Sequence, residues 1–145
     1  MSARPSSPPT HAEQGLARWL AVLIAVAAWS IVPPYVGPLL GLELDISATI
    51  EASSHLIPGL LAVGAASGAL LLARRGQFDS LLAFAALAVC ALAGLFETVS
   101  HVTLVRDAGE PLQPVGAVVL HASPGPVLLA LALWLLLRPL PSEEQ

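Results

Sequence analysis

The sequence predicts an all-α protein, an integral membrane bundle of four helices, and three observations predict it. Apolar residues make up 56% of the 145 and charged residues only 11%, against about 25% charged in a soluble domain. Four uncharged runs, three of them of full spanning length, divide the chain. Five of the six arginines fall at one end of the spans those runs would make, and there is no lysine.

These proportions exclude a disordered chain and an ordinary water-soluble enzyme. A net charge of −4 leaves no basic surface for nucleic acid. The single cysteine, Cys90, excludes a disulfide framework and a Cys-based zinc site. The expected surroundings are a lipid bilayer. A larger membrane complex or a second copy of the chain is the expected kind of protein partner.

Residues 1–14 are expected as a cytoplasmic tail, disordered because Ser2 to Thr10 is rich in Pro and Ser. The transmembrane domain is expected over 15–140, and 141–145 as a second cytoplasmic tail. A span needs about 20 residues without charge. Trp19 to Leu42 supplies 24, Ala52 to Ala73 supplies 22 and Pro111 to Leu137 supplies 27. Ser80 to Phe96 supplies 17, and its apolar run resumes beyond Glu97 to Val105. The first run is too long for a signal peptide, and Pro33-Pro34 stands where a small-residue cleavage site would be.

The joints follow from residue type. Helix 1 should end near Pro33-Pro34, since proline removes a helical hydrogen bond, and Pro33 to Pro38 should run irregularly at the interface. Tyr35 belongs there, with its amphipathic ring among headgroups. Arg74-Arg75-Gly76-Gln77 should turn tightly, with Gly76 as a left-handed cap. Asp79 or Ser80 should cap helix 3. Gly64-x-x-x-Gly68 would let a neighbouring helix approach closely.

Orientation follows the arginines. Arg4, Arg18, Arg74, Arg75 and Arg138 share one side of a four-helix chain, and Arg106 lies alone on the other. The positive-inside rule then predicts a multi-pass protein of the cell membrane with both termini cytoplasmic.

Two segments echo each other. Helix 2 is expected to begin His55-Leu-Ile-Pro58-Gly59 and helix 4 His121-Ala-Ser-Pro124-Gly125. The shared H-x-x-P-G suggests two duplicated helical hairpins. Against this, Pro and Gly are plentiful here and only three residues match. A true duplication would put helices 2 and 4 on a diagonal, with His55 facing His121. Pro58 and Pro124 would either free the carbonyls of Ser54 and Leu120 or sit harmlessly in a first helical turn.

The residues able to carry chemistry are His55, His101, His121, Glu97 and Glu51. Glu97 precedes His101 by four residues and Glu51 precedes His55 by four, so each pair shares a helix face. Glu97 interrupts helix 3 about two turns from its outer end, and an intramembrane ionisable group is a functional candidate by default. Imidazoles and carboxylates together suit a first-row transition metal. Two histidines on diagonal helices could instead ligate haem b, with Arg106 available to a propionate, and Tyr35 is a second cofactor-binding candidate. A proton relay or ion path is a further reading. In the plain alternative the same residues only satisfy one another, and the chain is an accessory subunit without chemistry. No catalytic motif accompanies them: the E-x-x-H spacing of di-iron bundles, H-E-x-x-H and G-x-S-x-G are all lacking. The expectation is therefore binding rather than catalysis. Cys90, among Ala, Val and Leu, reads as a small buried hydrophobe.

Overall fold

The computed structural model describes residues 11–41, 50, 52–107 and 115–138. Four stretches within them are long and apolar enough to cross a membrane: His11–Ile31, Ser53–Arg74, Leu81–Arg106 and Val115–Leu137. They pack into one bundle and define an α-helical polytopic membrane protein. The first stretch is α1 (His11–Ile31), followed by a short α2 (Pro33–Val36) and a 3-10 turn, Pro38–Leu40. The second is a π-helical turn, Ala52–Leu56, running into α3 (Ile57–Arg74). The third is the unbroken α4 (Leu81–Asp107). The fourth is α5 (Val115–Ala122) and α6 (Pro124–Leu137), parted at Ser123.

α1 starts earlier than expected, so His11 to Gln14 are helical. Glu13 lies in its first turn, where the helix dipole favours an acid. Past Ile31 the chain is not irregular as expected. Pro33 and Pro34 open the new helical turn α2, because proline at the first helical positions gives up a donor that had no partner. The fourth span does not begin at His121. It begins at Val115, and His121 lies in the last turn of α5.

The loop between α3 and α4 folds as its sequence predicts. Gly76 has φ 66°. Its N–H bonds to the Ala73 carbonyl and the Gln77 N–H to that of Leu72, which closes the helix in a left-handed cap. The Ser80 hydroxyl then accepts the Ala83 N–H at 3.2 Å and caps α4.

The extensive contacts run α1–α3, α3–α4 and α4–α6, and a slighter α1–α6 seam completes the ring. The spans neighbouring in sequence are neighbours in space, so α1 faces α4 and α3 faces α6 across two diagonals. The inward positions recur at steps of three and four: Leu20, Leu23, Ala27 and Ser30 on α1, then Ala62, Ala66 and Ala69 on α3. Ala83, Leu87, Cys90, Glu97 and His101 follow on α4, and Leu128, Ala132 and Leu135 on α6. Many inward residues are small, while Leu81, Leu92, Val102 and other large side chains point outward. Lipid is as apolar as leucine, so close backbone packing holds such a bundle.

α4 and α6 approach backbone to backbone. A Cβ on Gly94 would stand 2.6 Å from the Leu129 nitrogen, and one on Gly125 would stand 2.8 Å from the Thr98 nitrogen. Gly64 and Gly68 do not serve this purpose, since a Cβ on either meets nothing within 4 Å.

Candidate functional site

At one end of the bundle the inward stripe changes from apolar to polar. Ser30, His55, Glu97, His101 and His121 are all buried there, at 5% exposure or less. Each occupies a position that a core residue would take one or two turns further along. The π-helical turn carries His55 inward ahead of Pro58, and π turns are frequent at functional sites. The unbroken α4 supplies Glu97 and His101 from successive turns. α5 supplies His121 just before the break at Ser123.

Glu97 is bonded on both oxygens. The Ser30 hydroxyl donates to Oε2 at 2.5 Å, and Oε1 lies 3.2 Å from His55 Nδ1. An unpaired ionised side chain at a span's centre opposes insertion by about 3 kcal/mol, so both partners matter. Ser30 was not among the residues singled out from the sequence. Its place in the Leu20, Leu23, Ala27 register is the signal that marks it.

The histidine protons follow from their partners. His101 Nδ1 lies 2.7 Å from the Glu97 carbonyl oxygen, and His121 Nδ1 lies 2.8 Å from that of Ala117. A carbonyl only accepts, so each Nδ1 carries the hydrogen and each neutral ring has its lone pair on Nε2. His55 Nε2 lies 3.1 Å from His101 Nε2, so its N–H donates there. On its other side His55 and Glu97 share a proton at Nδ1. Every buried side-chain nitrogen and oxygen among the described residues has a partner.

His55 stands at the centre. Its ring centroid is 4.7 Å from that of His101 and 5.3 Å from that of His121. One diagonal is thus closed by the Ser30–Glu97 hydrogen bond and the other by the edge-on ring contact of His55 with His121.

The remaining predicted residues lie elsewhere. Glu51 is outside the described residues. Tyr35 is exposed on α2. Arg106 is exposed near the end of α4 and borders a flank groove with Thr98, His101, Val102, Ala122 and Pro126. Cys90 is buried, with Sγ 3.5 Å from the Ala62 carbonyl oxygen. Among the described residues, no group of three or more His, Cys, Asp or Glu side chains is disposed to hold a metal ion as it stands. Comparison with protein families, with characterised proteins and with solved structures finds no match to this chain.

Proposed function

We propose that this protein binds one first-row transition-metal ion within the membrane, near the extracytoplasmic face, through the imidazoles of His55, His101 and His121. The observation that carries the reading is the pair of Nε2 atoms 3.1 Å apart. Two imidazoles on one ion, each about 2.0–2.1 Å from it, stand roughly 3.3 Å apart at a tetrahedral angle and about 2.9 Å apart at a right angle. The ion would take the place of the hydrogen between them.

The outer contacts support the same reading. A metal-bound histidine almost always donates its other ring N–H to a carbonyl or carboxylate. The Nδ1 atoms of His101 and His121 have backbone carbonyls, and that of His55 has Glu97. Glu97 then acts as the carboxylate that orients His55, with Ser30 behind it. A three-histidine set needs the His121 ring to turn toward the other two. The ring contacts favour an ion over haem b. Axial histidines face each other across a macrocycle, whereas His55 touches His101 directly and meets His121 edge-on.

Elemental analysis of the protein purified in mild detergent without chelator tests this. Stoichiometric Zn, Cu, Fe, Ni, Co or Mn, lost in His101→Ala, is the expected result. A metal-free protein that also fails to take up these ions on addition would overturn it. A second reading is favoured by the complete pairing of the buried polar atoms. Here the cluster sets only the helix register, and the bundle is a structural subunit. A stable partner co-purifying with metal-free protein would support that reading.

A further inference from the structure

We infer that the α1–α6 seam is a binding site for an anionic glycerophospholipid, with its headgroup at Arg138 and one acyl chain lying along the seam. The seam is the slightest of the four contacts round the bundle. At the end away from the histidines, the rings of Trp19 and Trp134 meet edge-on, with centroids 4.9 Å apart. The Arg138 guanidinium lies over the Trp134 ring, 6.0 Å from its centroid. That stacking holds a cation at the mouth of the seam. Arg18 is exposed on α1 beside Trp19 and adds a second charge at the same level.

The seam continues inward from the tryptophans as a largely apolar groove of about 340 Å³, lined by Val22, Ala25, Val26, Trp29, Pro124 and Val127, with Ser123 its one polar residue. On α1, Trp19, Val22, Val26 and Trp29 recur at steps of three and four and so share one face. A cation above an amphipathic ring pair, with an apolar channel leading from it, matches a phosphate head joined to a hydrocarbon chain. A neutral lipid would fill the groove but leave the arginines unused. Basic sites between spanning helices select anionic headgroups by this chemistry.

Tryptophan quenching tests the site in the intact chain. The protein is reconstituted in phosphatidylcholine vesicles containing phosphatidylglycerol, with one lipid or the other brominated on its chains at equal mole fraction. The expected result is stronger quenching by brominated phosphatidylglycerol, a preference of roughly five-fold for each arginine. Arg18→Gln with Arg138→Gln should remove the preference, and Arg74→Gln with Arg75→Gln should leave it. Ala25→Phe, on the exposed face of the groove, should weaken it with every charge intact. Equal quenching by the two lipids would overturn the proposal. So would a preference that survives the first pair of substitutions, disappears with the second or ignores Ala25→Phe.

Discussion

His55 and His101 meet through their Nε2 atoms at 3.1 Å, although they come from different helices 46 residues apart. The contact works because each ring is anchored at its far nitrogen. His101 is tied to its own helix through the Glu97 carbonyl, and His55 is tied to the Glu97 side chain. One residue therefore sets both rings, its backbone holding one and its carboxylate the other. A third element, α1, reaches the same carboxylate through Ser30. The cluster thus holds two ring nitrogens from different helices within hydrogen-bond distance of each other.

Replacing Glu97 separates its two functions. Glu97→Gln keeps the shape and an oxygen acceptor but loses the charge. Metal affinity should fall about 10–100-fold, the usual loss for an outer-shell partner, with the melting temperature nearly unchanged. Glu97→Leu should be worse for the fold. It leaves the Ser30 hydroxyl and His55 Nδ1 without their hydrogen-bond partner, at about 1–3 kcal/mol for each group. Taken from sequence alone, Glu97→Leu is harmless if the acid is merely buried and protonated. The two bonds to Glu97 reverse that expectation. Metal content and thermal melts of the two variants, side by side, check it.

Ser30→Ala should show the same coupling more weakly. The hydroxyl donates to an acidic group in a buried site, so its loss should destabilise by about 1–3 kcal/mol. It should also lower metal affinity, although Ser30 touches no proposed ligand. Unchanged affinity with lowered stability would confine Ser30 to packing.

If an ion belongs to the folded protein alone, adding it must raise the melting temperature. Free ion at 100 times its dissociation constant should add about 2.7 kcal/mol, and chelation should reverse the shift. His121→Ala should reduce the gain if His121 turns in as the third ligand. A melting temperature indifferent to added ions and to chelator would leave the cluster with a structural role only.

Much of this architecture is legible in the sequence, and the misses have physical causes. The four uncharged runs mark the spans because lipid tolerates little else. Gly76 and Ser80 mark the loop because only certain residues cap a helix. Glu97 stands out as an acid within an apolar run. Ser30 does not, since a lone serine is common in a span and only its register points it inward. The start of the fourth span is hidden as well. Proline suggests a helix beginning at Pro124, yet the chain is already helical from Val115 and merely breaks at Ser123. Glycine spacing misleads in the same way, because a GxxxG pattern shows that a helix can be approached and not that it is.

That last point makes a clean contrast in packing. Gly94→Ala and Gly125→Ala should each destabilise by about 1–3 kcal/mol, because the new methyl meets backbone atoms that cannot move aside alone. Gly125 follows His121 by four residues, so pushing α6 from α4 should also disturb the cluster and reduce bound metal. Gly64→Ala and Gly68→Ala meet open space and should be neutral or slightly stabilising, since alanine is the better helix former by about 1 kcal/mol. Thermal melts of the four variants measure the difference.

The side of the membrane that sees the cluster can be determined directly. Arg18 lies near the start of the first span, Arg74 and Arg75 close α3, and Arg138 follows α6. In a bundle whose spans alternate in direction, these four share one end. Arg106, near the end of α4, lies at the other end with the histidines. Short loops rich in arginine stay in the cytoplasm, so the histidine end should face outward. A reporter active only in the cytoplasm should work when fused after Gln145 and fail when inserted in residues 108–114. A thiol placed in that segment should react with an impermeant reagent added to intact cells, while Cys90, buried in the bundle, should not. The opposite pattern would turn the site toward the cytoplasm, and any ion it binds would then come from the cytoplasmic pool.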